Sequence, residues 1–155
     1  MTILPPTLRI PIIVIGSGRA YERLVKTQIS RRGLEPWFTF LPEADFQDFP
    51  ELYKQALFSV YPSDYEGFGI PVVESLVSGT PVILTQASSL PEAGGGGGWY
   101  MEVITADALA AGMKELIENR EKRDQLAEAG KQHVEKFRPG RLTEDLYGLY
   151  KEVSR

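Results

Sequence analysis

Residues 58–82, FSVYPSDYEGFGIPVVESLVSGTPV, contain the pattern from which the fold is predicted. An apolar run ends at Pro62, a polar loop follows, and Pro71 and Gly79 bracket the next segment. Proline suits the first helical position, where its missing N–H has no helical partner, and glycine suits the left-handed residue that ends a helix. The stretch therefore predicts a strand, a loop, a helix opening at Pro71 and, from Pro81, a second strand.

Strand and helix segments alternate along the whole chain. The β-branched run Ile10–Ile15 is typical of a strand buried on both faces, and the helix after it is expected to end at Gly33. Further strands are predicted at Trp37–Leu41, Phe58–Tyr61, Val82–Leu84 and Trp99–Val103, and helices at 20–32, 50–55, 121–136 and 142–153. Leu24 is expected on the inner face of the first of these helices, and the second, which contains Tyr53, is expected to pack against the rest of the fold. Thr105 is the candidate N-cap of a further helix whose apolar face runs from Leu109 to Ile117. This alternation predicts an α/β fold: one domain over residues 1–155, with a Rossmann-like parallel sheet and helices on both faces.

Two carboxylates bracket the loop of the opening stretch. Glu66 lies within the loop, and Glu74 lies about one helical turn past Pro71. A loop that leads from a strand into a helix brings backbone N–H groups to the carboxyl edge of the sheet, where anions bind favourably. Gly67 and Gly69 let the backbone approach a ligand because they carry no side chain. Single glutamates are mostly solvated and single glycines mostly form turns, so their combination is what predicts a pocket for a sugar phosphate.

At these residues the sequence resembles the nucleotide-sugar glycosyltransferases of family 4, which have the two-lobed GT-B fold. The family signature is two glutamates separated by seven residues, EGFGxPxxE, and Glu66–Glu74 reads EGFGIPVVE. Three further blocks match in the family's order: Pro62-Ser63 before the signature, Gly79–Val82 after it, and Leu90–Glu92 beyond the next strand. The resemblance covers about residues 10–153 and implies a single lobe of a GT-B fold.

The resemblance implies the donor-binding half of a retaining hexosyltransferase. Such an enzyme moves a sugar from a UDP- or GDP-linked donor to an acceptor such as a glycan or lipid. Glu66, the candidate catalytic residue, would hold sugar hydroxyls, and Glu74 would hold those of the ribose. The other implied contacts with the nucleotide sugar are Gly16, Leu41, Phe68, Gly69, Ile70 and Pro71. Backbone N–H groups of residues 68–70 would hold the diphosphate, and no cofactor or metal is implied.

Two positions leave the implied contacts open. Pro42 stands where the family has a glycine after the second strand, so the base contact at Leu41 stays undecided. The turn Gly16–Gly18 also fits a dinucleotide-binding fingerprint, but Tyr21 replaces the third glycine of that fingerprint. Arg19, beside this turn, is a further candidate for contact with the diphosphate.

A complete enzyme of the family also has an amino-terminal lobe that binds the acceptor. The residues before Ile10 are too few for that lobe or for the first strand of the donor lobe. We therefore expect the isolated chain to bind nucleotide weakly and to transfer nothing, with the other lobe as its main partner besides the nucleotide sugar.

Composition narrows the classes of function further. The net charge of −4 predicts no nucleic-acid partner, and a chain with no cysteine and a single histidine, His133, cannot build thiolate or multi-histidine metal sites. No apolar run approaches the ~20 residues of a membrane span, and no signal peptide is evident. The sequence predicts a cytoplasmic protein, with peripheral membrane contact only through the other lobe.

A different class of function is a noncatalytic module that binds a nucleotide or recruits a partner. The last helix favours this alternative, because part of its apolar stripe would be exposed in an isolated lobe. The stripe consists of Leu142, Leu146, Leu149, Tyr150 and Val153.

Two smaller features lie between the fourth and fifth strands. Ser89 and Glu92 have the spacing of a capping box, in which each side chain bonds the other residue's N–H. The run Gly94–Gly98 is either a loop that orders on ligand binding or a permissive surface connection. The second interpretation is favoured.

Overall fold

The computed structural model describes residues 2–16 and 18–154. Its helices and strands follow in the predicted order: β1 (Ile12–Ile15), α1 (Arg19–Arg31), β2 (Phe38–Leu41), α2 (Phe49–Gln55), β3 (Ser59–Tyr61), α3 (Ile70–Val77), β4 (Val82–Thr85), α4 (Leu90–Gly94), β5 (Gly98–Met101), α5 (Ala106–Glu118), α6 (Arg120–Val134) and α7 (Pro139–Val153). Short 3-10 turns lie at Pro6–Leu8, Glu35–Trp37, Phe46–Asp48, Gly95–Gly97 and Glu135–Phe137.

The strands pair in parallel, as predicted, and form two sheets. β1 pairs with β2, with Ile15 opposite Leu41. β4 lies between β3 and β5, with Val82 opposite Ser59 on one side and Gly98 on the other. Within residues 2–16 and 18–154, no strand is hydrogen-bonded to both sheets.

β4 is the buried centre of the fold. Val82, Ile83 and Leu84 have no exposed surface. Ile83 belongs to one apolar cluster with Leu116 of α5, whereas Val82 and Leu84 belong to a second cluster with Leu76 of α3. Because successive side chains of a strand point to opposite faces, helices cover both faces of this sheet. The prediction of a sheet between two helical layers is confirmed here.

β1 departs from the prediction that it is buried on both faces. Ile12 packs against the cluster around Ile83, but Ile13 is 51% exposed and Ile15 is 38% exposed. α1 likewise turns Leu24, which was predicted to face inward, toward solvent with 55% exposure. These predictions were wrong because an apolar run shows that one face is buried but does not show whether a helix covers the other.

The prediction of a permissive surface loop at Gly94–Gly98 was also wrong. The run ends α4, forms a 3-10 turn and begins β5. A Cβ on Gly97 would lie 2.5 Å from the Cα of Gly130 in α6 and 2.5 Å from Leu76 Cδ2. The glycines thus allow α6 to pack directly against the backbone of residues 94–98, with no room for a side chain between the two segments.

The carboxyl-terminal half contains three further helices. The Thr105 hydroxyl caps α5, as predicted, by accepting the N–H of Ala108 at 3.1 Å. α7 has no buried residue, and its apolar stripe from Leu142 to Val153 is exposed. Among the residues that the structure describes, no helix combines the length and the apolar character needed to cross a membrane.

Candidate functional site

The loop after β3 enters α3 through Gly69. This residue has left-handed backbone with φ +100°, and its carbonyl accepts the N–H of Val72 at 2.9 Å. A Cβ on Gly69 would lie 2.8 Å from Leu90 Cδ2. Glycine is therefore required for both backbone conformation and space. The helix begins at Ile70, which places Pro71 one position later in the first turn than predicted.

Three consecutive backbone donors lie at this turn. The N–H groups of Phe68, Gly69 and Ile70 donate no hydrogen bond to the part of the chain that the structure describes. Ile70 is 63% exposed and Phe68 is half-buried, whereas Gly69 is buried, so part of the turn is open to solvent. The Phe68 ring packs edge-on against Phe137, with ring centroids 5.2 Å apart. An aromatic contact therefore anchors the turn while its donors at the start of a helix remain available for an anion.

The two glutamates of the signature border a pair of tyrosines. Glu66 is half-buried, and its Oε1 accepts the hydroxyl of Tyr61 at 2.9 Å. Glu74 is also half-buried. Both Glu74 and Tyr61 lie close enough to Tyr53 to raise its pKa electrostatically. The carboxylates are thus brought to the same group of side chains, through two tyrosines that sequence reasoning did not include in the site. The position of Tyr61, the last residue of the strand before the loop, was the available signal.

Burial, together with the neighbouring acids, keeps both tyrosines protonated. Burial, the hydrogen bond to Glu66 and the charge of Glu66 raise the pKa of Tyr61 to about 12. Burial, followed by the Glu74 carboxylate and Tyr61, raises the pKa of Tyr53 to about 12. At neutral pH Tyr61 therefore acts as a hydrogen-bond donor that orients the Glu66 carboxylate.

Gly16 and Leu41 lie together at the carboxyl ends of β1 and β2. The Gly16 N–H donates to the Leu41 carbonyl at 3.0 Å, and Gly16 has φ +108° with open space where a Cβ would stand. The turn therefore needs glycine for its conformation, and a ligand could approach it closely. Ser17 of this turn lies outside the described residues, as does the side chain of Arg19.

The turn after β4 reaches across to the loop. The Ser88 and Ser89 hydroxyls donate to the Glu66 carbonyl at 2.6 and 3.0 Å, and the Thr85 hydroxyl donates to the Ser63 carbonyl at 2.6 Å. Ser89 makes no side-chain cap to α4, so the predicted capping box is wrong. Its hydroxyl is used in a contact with a residue 23 positions earlier, which local spacing does not indicate.

Two surface depressions lie away from this turn. These depressions, of about 800 and 580 Å³, run along α5 and α6 among charged side chains such as Glu121 and Lys114, and neither includes a residue of the signature. Within residues 2–16 and 18–154, no three acidic or histidine side chains form a group that could hold a metal ion. The features that mark the site are therefore its unpaired N–H groups and its carboxylates.

The sequence pattern of the family described as "Glycosyl transferases group 1" matches residues 3–133. The chain belongs to this family. It is also 32% identical over 145 residues to the O-antigen chain mannosyltransferase B of Escherichia coli, and this match covers 93% of the chain and 38% of that relative. The chain therefore spans little more than a third of the length of this glycosyltransferase.

Solved structures show the same architecture. The Anabaena protein HepE in complex with UDP superposes with a TM-score of 0.80 at 23% identity, over 97% of this chain and 42% of that one. The C-terminal domain of a group 1 glycosyl transferase from Francisella tularensis superposes with a TM-score of 0.69 at 25% identity, over 81% of this chain and 68% of that one. The fold is that of a single lobe of a GT-B glycosyltransferase.

Proposed function

We propose that the chain is the donor-binding, carboxyl-terminal lobe of a retaining glycosyltransferase that uses a UDP- or GDP-linked hexose. The observation that carries this proposal is the turn into α3, where three N–H groups between Glu66 and Glu74 find no acceptor among residues 2–16 and 18–154. The mannosyltransferase relative and the UDP complex of HepE support a nucleotide-sugar donor. The match to a C-terminal domain supports the assignment to that lobe.

The proposed roles follow from the charge that develops during transfer. The bond between the anomeric carbon and the diphosphate breaks, and a bond from that carbon to the acceptor oxygen forms. Negative charge grows on the leaving phosphate, which takes the proton of the acceptor hydroxyl. Donors fixed at a helix start stabilise this charge without reorganising, so the N–H groups of residues 68–70 are assigned to the diphosphate beside Pro71. Glu66, oriented by Tyr61, is assigned to the sugar hydroxyls, and Glu74 is assigned to the ribose.

Gly16 and Leu41 are assigned to the other end of the donor. Their backbone contact lies at the carboxyl edge of the β1–β2 sheet, and ligands of open α/β folds bind at such edges. Gly16 would approach the diphosphate and Leu41 the base. No cofactor or metal enters this proposal, because the N–H groups supply the charge stabilisation.

The proposed activity needs more protein than this chain contains. Relatives are roughly two and a half times as long, and an acceptor site is not assigned to any residue here. We therefore expect the isolated lobe to bind donor nucleotide weakly and to show no turnover. Transfer of sugar from any nucleotide sugar by the isolated chain would contradict this expectation.

Isothermal titration with UDP, GDP and ADP tests the proposal. We expect one of the three to bind, and Glu74→Ala to weaken its binding about tenfold or more, since a hydrogen bond to a charged group contributes about 1.5–3 kcal/mol. Glu118→Ala, which removes an exposed glutamate at the end of α5, is the matched control and should leave affinity unchanged. Equal affinities of the Glu74 variant and the wild-type chain would refute the assignment of the ribose site.

A second candidate function is a noncatalytic, partner-recruiting module. It is favoured by α7, which exposes an apolar stripe along its whole length: Leu142 (50%), Leu146 (51%), Leu149 (55%), Tyr150 (62%) and Val153 (78%). Absence of binding to all three nucleotides by a chain with an intact fold would favour this alternative over the transferase.

A further inference from the structure

We propose that Ser88 and Ser89 are positioning residues for Glu66 and thereby determine how strongly the lobe recognises the sugar part of its donor. This inference rests on the proposed function for its ligand. Its structural part, a clamp of hydroxyl groups on the loop, rests on hydrogen bonds of the described residues alone.

The clamp acts on a single carbonyl. Ser88 Oγ donates to the Glu66 carbonyl oxygen at 2.6 Å, and Ser89 Oγ donates to the same atom at 3.0 Å. A carbonyl oxygen has two lone pairs, so these two donors satisfy it fully. The Glu66 side chain is held separately by the Tyr61 hydroxyl at 2.9 Å. Backbone and side chain of the candidate catalytic residue are therefore both fixed by hydroxyl donors.

The hydroxyl donors lie at the end of β4 and in the turn after it, where Ser88 is exposed and Ser89 is half-buried. Thr85, at the end of β4, is 2% exposed, and its hydroxyl holds the Ser63 carbonyl at 2.6 Å. Ser88 and Ser89 follow within four residues, so the loop from 63 to 66 is held at one end by β4 and at the other end by the turn after it. A rigid support of this kind keeps a binding group in place without help from the ligand.

The backbone of Ser88 gives a second, independent observation. With φ +53°, Ser88 has a left-handed conformation that no other non-glycine residue of 2–16 and 18–154 adopts. Glycine would adopt it without steric cost, but it could not donate to Glu66. A strained residue that supplies a hydrogen bond to a candidate binding residue is consistent with strain retained for function.

The clamp should affect the two parts of a donor differently. Loss of both hydroxyls frees the peptide that follows Glu66, so the carboxylate spends less time where it can accept sugar hydroxyls. The diphosphate is assigned to N–H groups from residue 68 onward, which the Gly69 turn and the Phe68–Phe137 contact still hold. Affinity for the nucleotide sugar should therefore fall more than affinity for the nucleotide alone.

The test compares the wild-type chain with Ser88→Gly/Ser89→Ala, in which glycine keeps the backbone of residue 88 relaxed. UDP, UDP-glucose, GDP and GDP-mannose are titrated, and binding is followed by NMR. We expect the variant to lose about fivefold to tenfold in affinity for the nucleotide sugar that binds, and less than about twofold for its nucleotide, as two lost hydrogen bonds imply. The backbone order parameters of Glu66 and Gly67, measured by 15N relaxation, should fall from about 0.85 toward about 0.6.

Two controls separate positioning from general damage. Thr143→Ala removes a comparable hydroxyl-to-carbonyl bond, that to Pro139, in α7 and should change neither measurement. Ser88→Gly/Ser89→Thr keeps one donor and should recover part of the lost sugar affinity.

Unchanged order parameters of Glu66 and Gly67 in the double variant would overturn the clamp. Equal losses for nucleotide and nucleotide sugar would overturn its role in sugar recognition. If the wild-type chain binds no nucleotide, the proposed function fails and the sugar role fails with it, whereas lower order parameters of Glu66 and Gly67 in the variant would still support the clamp. The failure of the inference and that of the proposed function can therefore be distinguished.

Discussion

The two sheets of this lobe are supported very differently. In the three-stranded sheet, Val82, Ile83 and Leu84 of β4 are completely buried between α3 on one side and α5 on the other. In the two-stranded sheet, β1 buries one face only and leaves Ile13 half exposed. Because β4 has a strand on each edge and a helix on each face, the sheet around it is the better-packed part of the molecule.

This difference divides the candidate site. The signature loop, both glutamates and the hydroxyl clamp belong to the well-buried sheet, whereas Gly16 and Leu41 belong to the other. Binding groups on a packed support are held in place before a ligand arrives, and those on a looser support must be ordered by it. We therefore expect Glu66, Glu74 and the N–H groups of residues 68–70 to be preorganised better than Gly16 and Leu41.

Core truncation should give the largest contrast between the sheets. Ile83→Ala should lower the free energy of unfolding by about 2–5 kcal/mol, since it opens a cavity in a closed core. Ile13→Ala should lower it by less than about 0.5 kcal/mol, because half of the Ile13 side chain is already in water. Urea unfolding of the two variants measures both values. Losses of similar size would contradict the difference in support.

Alanine substitutions of Gly69 and Gly16, one in a turn beside each sheet, compare the packing around the two sheets. Gly69→Ala should cost about 2–3 kcal/mol, since alanine would be strained at φ +100° and would overlap Leu90 Cδ2. Gly16→Ala should cost about 1–2 kcal/mol, because φ is +108° but nothing lies within 4 Å of the new Cβ. Thermal or urea unfolding provides the measurement. A larger loss at Gly16 would show that the turn after β1 is packed more tightly than described.

Features predicted correctly from the sequence are those set by neighbouring residues. Pro71 and Gly79 bracket α3 closely, and Gly79 has the expected left-handed φ of +82°. The Thr105 cap needs only the N–H three residues later. The order of strands and helices follows from such local signals together with apolar runs, and it is sufficient to predict the parallel α/β class.

The errors concern partners that lie far apart in the sequence. Ser89 was assigned a cap on its own helix, but its hydroxyl bonds to Glu66. The glycine run was assigned to the surface because nothing near it in sequence shows that Gly130 of α6 packs against it. Tyr53 and Tyr61 were interpreted as packing and strand residues for the same reason. Local patterns predict elements, whereas the support of the site depends on contacts between them.

The contact between Gly97 and α6 can be tested without changing the signature of residues 66–74. Gly97→Ala should cost about 1–3 kcal/mol, because its Cβ would lie 2.5 Å from the backbone of Gly130 and α6 would have to move. Gly148→Ala is the matched control: it lies in exposed α7 with no atom within 4 Å of the new Cβ, and alanine should be neutral or slightly stabilising there. A neutral Gly97 variant would instead support a loosely packed glycine run.

The smallest predicted effect on stability should appear at high pH and should arise from Tyr61 in the three-stranded sheet. The pKa of Tyr61 is raised to about 12 when the chain is folded, by burial and by Glu66, whereas an ordinary tyrosine titrates near 10. The unfolded chain therefore binds fewer protons between these values, so the contribution of Tyr61 to stability is complete below pH 10 and falls as the pH rises toward 12.

Tyr61→Phe should reduce this alkaline loss of stability. At neutral pH it should cost about 1 kcal/mol through the missing hydrogen bond to Glu66. Urea unfolding between pH 8 and pH 11 measures both effects, with Tyr147→Phe in exposed α7 as the control. An alkaline loss that is identical in the wild-type chain and in Tyr61→Phe would mean that Tyr61 does not hold the Glu66 carboxylate, and the preorganisation expected of this sheet would then depend on the serine clamp alone.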